Sequence, residues 1–123
     1  MGERILIDTD ILIDYCKEKT ELDPKDLHHI SEITVYEFIR GTKDIEGAKK
    51  MLEESFVVVW LDNRIVTKAS EIWRNLKARG ESVDDRDLII AATAITEGLK
   101  LLTRNVGHYG RLCEHGLSLC QEE

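Results

Sequence analysis

Three carboxylates fall where an apolar segment meets the start of a helix. Asp8 closes the run ILID, Glu37 lies in TVYEF and Asp87 lies in DRDLIIAATA. Such positions converge in an α/β fold, because the C-terminal ends of parallel strands share one edge of the sheet. Carboxylates gathered there repel one another unless a divalent cation neutralises them. The chemistry predicted is therefore that of a metal-dependent enzyme acting on phosphates. Thr9 beside Asp8, together with Thr103-Arg104-Asn105, adds hydroxyl and amide oxygens suited to the inner or outer shell of Mg²⁺ or Mn²⁺. Each acid also has a local explanation. Asp8 or Asp10 can cap the following helix, and Glu37 can occupy the third position of a capping box opened by Thr34. Asp84, Asp85 and Asp87 in a first turn favour the helix dipole. Capping alone does not require all these groups at one edge.

The elements that must position these residues follow from periodicity. Arg4-Ile5-Leu6-Ile7 has strand length, and Ile11-Leu12-Ile13 with Tyr15 and Cys16 reads as the next helix. A short strand is predicted around His29-Ile30-Ser31, with His28 and His29 before it, capping or facing solvent. The helix opened by Thr34 should end near Gly41, and Ile45, Ala48, Met51 and Leu52 keep helical spacing. FVVVW, residues 56–60, is β-branched and continuous, as expected of a buried strand. Asp62 can cap a helix whose stripe is Ile65, Ala69, Ile72, Trp73 and Leu76. Leu88 to Ile95 is apolar nearly all round, Gly98 suits a helix end, Leu101-Leu102-Thr103 reads as a strand, and Leu117-Ser118-Leu119 is a candidate for a last short one. Strands alternating with helices predict an α/β fold, a three-layer parallel sheet sandwiched by helices.

The 123 residues, 42% hydrophobic and 33% charged, fit one soluble domain over 1–123. No apolar run nears the roughly 20 residues of a membrane span, and MGERILIDTD lacks a signal-peptide core, so a cytoplasmic protein is expected. Cys16, Cys113 and Cys120 form no CxxC pair, in keeping with reduced thiols. A net charge of −7 argues against a broad nucleic-acid-binding face. Grip on such a ligand would come from local cations, chiefly Arg40, Arg86 and Arg104, with Lys43 and Arg111 beyond them. His108, Cys113, His115 and Cys120 fit no usual zinc spacing, and neither a phosphate-binding glycine loop nor a GxSxG elbow occurs.

Three segments, ILIDTDILIDY, SEITVYEFIRG and DLIIAATAITEGLKLLTRN, resemble the PIN-domain family, in particular its small VapC-like ribonuclease toxins. The likeness spans nearly the whole chain in the expected order. It implies a PIN-like, Rossmann-like fold with acids clustered around Mg²⁺ or Mn²⁺. By motif, Asp8, Glu37 and Asp87 match the family acids, Asp85 matches a variable extra acid, and Thr103 and Asn105 match the polar residues after the fourth strand. The family often has an acid where this chain has His108, which bears on whether one ion or two would bind. The resemblance further implies an RNA substrate cut by in-line attack of an activated water, a small antitoxin partner and a homodimer. Trp60 and Trp73 are candidate interface anchors.

Two rivals differ in kind. A catalytically inactive PIN-fold scaffold or regulatory module would account for His108. A phosphate-accepting receiver domain could use Asp8, Asp10 and Asp62, but has no use for Glu37 or Asp87 and lacks a lysine after the last core strand.

Overall fold

A computed structural model describes residues 2–120. Five parallel strands run β1 (Arg4–Ile7), β2 (Leu27–Ser31), β3 (Val57–Val59), β4 (Lys100–Leu102) and β5 (Ser118–Leu119), in the spatial order β3-β2-β1-β4-β5. The helices are α1 (Thr9–Cys16), α2 (Glu32–Ile39), α3 (Ile45–Ser55), α4 (Asn63–Ala78), α5 (Asp85–Glu97) and α6 (Val106–Tyr109), followed by a 3-10 helix over Gly110–His115. None of the described helices is long and apolar enough to cross a membrane. The predicted three-layer α/β architecture is the one observed.

Alternation along the strands divides the core in two. Leu6 of β1 and its register partner Leu101 of β4 join the cluster made by α4 and α5, including Ile65, Ile72, Leu76 and Ile90. Ile5, Ile7 and Leu102 point to the opposite face, against Ile11 and Leu12 of α1, Val35 of α2 and Leu52 of α3. Successive strand side chains face opposite sides, so burial on both faces explains why these strands read as unbroken apolar runs. The all-round apolar helix is α5, with Leu88, Ile90, Ala91, Ala92 and Ala94 buried. Gly98 ends it at φ 66°, ψ 37°, the left-handed conformation that glycine adopts without a Cβ clash.

Four local readings are corrected. The cap of α2 is Ser31, not Thr34: Ser31 sits at extended φ and ψ at the end of β2, and its hydroxyl accepts the Thr34 amide at 3.2 Å. The register moves by three residues, and Glu37 lies well inside the helix rather than folding back on its N-terminus. The FVVVW strand is not buried, because β3 forms an edge of the sheet; Val57 and Trp60 are exposed. Trp73 leaves the apolar stripe of α4 and faces outward beside a groove of about 470 Å³ between α4 and α5. His29 neither caps nor meets solvent, but lies buried within β2.

Two stability predictions follow here. Ser31 also donates to Thr34 Oγ1 at 3.3 Å, so Ser31→Ala should cost about 1–2 kcal/mol in a urea melt; a loss below a few tenths would refute the assigned cap. Burial pushes the His29 imidazole below its ordinary 6.5, and its Nδ1 has no hydrogen-bond partner. A proton is then taken up more readily by the unfolded chain. The stability is intact above pH 6.5 and is lost as pH falls from there through the folded value. Melting followed from pH 8 to 5 should show that decline in the native chain and a shallower one in His29→Leu.

Candidate active site

The sheet order reverses between β1 and β4, and the crevice beyond the C-terminal ends of those strands is the natural binding position in such a fold. Asp8 follows β1 directly, and its amide extends the ladder to Leu102 O at 2.9 Å. Its carboxylate caps α1 through the Thr9 amide at 2.8 Å, which settles the choice between Asp8 and Asp10. Thr103, just beyond β4, donates its hydroxyl to Asp8 Oδ2 at 2.8 Å. Asp8 is fully buried and Thr103 and Asp87 nearly so, whereas Glu37 is partly exposed.

Glu37 reaches the same crevice from α2. A buried relay of hydroxyls leads to it: Ser31 to Thr34, Thr34 to Thr9 at 3.0 Å, and Thr9 Oγ1 donating to Glu37 Oε1 at 2.6 Å. Asp87 arrives from the first turn of α5. Its Oδ1 accepts from the Tyr109 hydroxyl at 3.0 Å, and its Oδ2 lies 2.7 Å from His108 Nε2. Burial first, then the charges of Asp8 and Asp87, pushes the Tyr109 hydroxyl far above its ordinary value, so it stays a donor. His108 therefore stands against Asp87 from the position where an acid was expected.

One cation binds all three carboxylates. The Arg86 guanidinium meets Glu37 Oε2 through Nε at 2.6 Å, Asp87 Oδ1 through Nη1 at 2.5 Å and Asp8 Oδ1 through Nη2 at 2.9 Å. Burial opposes its charge, but the bond to Glu37 and the negative charges of Asp8 and Glu37 outweigh that and raise its pKa well above the ordinary value. Three acids against one guanidinium leave two formal negative charges in the crevice. Nearby, burial and then the charge on Asp8 lift the Asp10 carboxyl above its usual range.

Other candidate residues are placed differently. Asp85 is exposed and lines the α4–α5 groove with Trp73 and Leu88, apart from the three acids. Asn105 is exposed and precedes α6, its amide donating to Thr103 Oγ1 at 3.1 Å. Arg104 pairs with Asp14, and its amide is 3.4 Å from Asp10 Oδ2. Arg40 stacks over the exposed Tyr36 ring at 4.9 Å from its centroid. Arg86, expected at an RNA contact, lies instead among the acids. Sequence reading singled out Thr9 by its place beside Asp8, but missed the part of Thr34 in the relay and the Tyr109 hydroxyl, neither of which adjoins an acid in sequence.

The donor set is one of hard oxygens, carboxylates backed by hydroxyls, and it already surrounds a cation. It fits Mg²⁺ or Mn²⁺ in charge and chemistry. Its present spacing suits the broader guanidinium: among the described residues no three His, Cys, Asp or Glu side chains are grouped to hold one ion.

Comparisons with known proteins agree with this picture. The PIN domain family matches residues 5–110. The chain is 43% identical over 118 residues to "Ribonuclease VapC1" of Methanocaldococcus jannaschii, covering 94% of this chain and 86% of that protein. In structure it is similar to VapBC-1 from nontypeable Haemophilus influenzae, with TM-score 0.78 and 25% identity over 96% of this chain and 97% of that one. It is also similar to DNA-bound VapBC from Salmonella typhimurium, with TM-score 0.77 and 25% identity over 98% of each chain. Matched by the family model over most of its length and by a relative across nearly all of it, the chain belongs to the PIN-domain family.

Proposed function

We propose that this protein is a metal-dependent endoribonuclease that hydrolyses RNA phosphodiesters and acts as the toxin of a toxin–antitoxin pair. The observation that carries the reading is the meeting of Asp8, Glu37 and Asp87 around a single cation at the switch point of the sheet. The ribonuclease named among its relatives and the VapBC assemblies among its structural neighbours support the substrate class and the kind of partner. A small antitoxin and a second copy of this chain are the proposed protein partners.

Asp8, Glu37 and Asp87 would hold Mg²⁺ or Mn²⁺. When bound, the ion supplies an acidified water and neutralises charge that builds on phosphorus. Thr103 and Thr9 each pin one carboxylate oxygen and so aim the other into the crevice. Tyr109 and His108 hold Asp87 from both sides, Tyr109 at Oδ1 and His108 at Oδ2, and so fix the orientation of its carboxylate. Without such bracing the carboxylates would swing on their side chains, and the geometry for in-line attack would be lost. His108 leaves the three acids assembled, so its presence does not favour an inactive scaffold.

The test is incubation of the purified chain with single-stranded and hairpin RNAs in Mg²⁺, Mn²⁺ or EDTA. Cleavage with either ion and none in EDTA is expected. Equal cleavage in EDTA would remove the metal from the mechanism. Absence of both cleavage and Mn²⁺ binding by calorimetry would favour a non-catalytic module.

A further inference from the structure

Arg86 occupies the second position of α5, next to Asp87. A surface arginine there would be ordinary, yet its side chain is only 31% exposed. Its three guanidinium nitrogens each serve a different carboxylate, drawn from β1's end, α2 and α5. The oxygens divide between Arg86 and other donors, with two of Arg86's three shared: Asp8 Oδ1 also accepts the Thr9 amide and Asp87 Oδ1 the Tyr109 hydroxyl. Thr103 takes Asp8 Oδ2, Thr9 takes Glu37 Oε1 and His108 faces Asp87 Oδ2. The other oxygen of each acid goes to Arg86.

We propose that Arg86 is a built-in competitor of the divalent ion: the guanidinium and the metal bind the same three oxygens in turn, and loading requires Arg86 to swing out. The inference rests on the metal-dependent reading above and deepens it. A guanidinium seated across all three carboxylates fills the space between them that a divalent ion would occupy. A guanidinium is broad and planar and holds the acids apart, whereas Mg²⁺ or Mn²⁺ needs oxygens at about 2.1 Å. The partly exposed side chain has solvent to move into, and it leaves as the same cation, with no proton transferred. While engaged, it keeps three like charges assembled before an ion arrives. It also weakens metal binding by the fraction of time it is engaged: engagement for about nine-tenths of the time lowers apparent affinity about tenfold.

The measurement is Mn²⁺ affinity without RNA, by calorimetry and by the electron paramagnetic resonance of free Mn²⁺. Native chain, Arg86→Met and Arg86→Lys are compared. Arg86→Met should bind Mn²⁺ about tenfold more tightly than the native chain, with Arg86→Lys in between, because one ammonium cannot engage three carboxylates at once. Metal-free Arg86→Met should melt lower and recover in saturating Mn²⁺. In the native chain, the Arg86 Nε–H resonance should leave its hydrogen-bonded position as Mg²⁺ is added, a readout that needs no variant. Equal or weaker Mn²⁺ binding by the variants, or an unmoved Nε–H signal in a chain that binds metal, would overturn the competition and leave the metal reading standing. If neither native chain nor variants bind Mn²⁺, the metal reading itself fails, and this inference with it.

Discussion

Asp8→Asn should abolish RNA cleavage, by about 10²–10³-fold or more, the scale of removing one preorganised charge-stabilising group, while the chain stays folded. Asparagine keeps the shape and one oxygen, so it can still accept the Thr9 amide and cap α1. It can accept from Thr103 Oγ1 or from Arg86, but as a neutral group it loses the charge-assisted part of the bond to Arg86. It cannot supply the negative charge that a divalent ion requires. Removing one of three mutually repelling carboxylates also relieves strain in the crevice, which offsets part of the lost ion pair. The thermal midpoint should therefore stay within a few degrees of the native value. Cleavage rates of Asp8→Asn and native chain, measured side by side in Mn²⁺ with melting curves of both, decide the matter. Activity at the native rate in a folded variant would remove Asp8 from the machinery.

The largest structural effect is expected at Leu6. Its side chain is fully buried, at 0% exposure, on the α4–α5 face of the central strand and registers with Leu101 and His29 on the neighbouring strands. Leu6→Ala removes its packing and leaves a cavity between the sheet and the helices, which cannot collapse because β1 is held on both sides. The cost should be about 2–5 kcal/mol, or a fall of roughly 10–20 °C in midpoint for a domain of this size. A urea melt should show a lower midpoint at unchanged slope. A cost below about 1 kcal/mol would mean that the core repacks around the gap, against the tight packing of folded interiors.

Much of this could be read from residue order. Strands β1 and β4, the helix after Asp62 and the buried helix opened by the Asp84–Asp87 stretch carry local signals that neighbours reinforce. The acids were recognisable because Asp8 and Asp87 adjoin apolar segments whose ends had to meet. The readings that failed share another property. Ser31 and Thr34 are three residues apart and both suit a cap, and only the end of β2 selects between them. FVVVW reads as buried until the strand order places β3 at an edge.

Arg86 shows the limit most clearly. In sequence it is a cation beside an acid, equally suited to solvent, to a phosphate or to a salt bridge. Its three partners lie one, 49 and 78 residues away. Periodicity and capping act over a few residues, so they set which segments become strands and helices and which acids stand at their ends. The partner of a long, flexible side chain is set by the charges that other segments bring within its reach. That choice became available only when β1, α2 and α5 had closed around the same crevice.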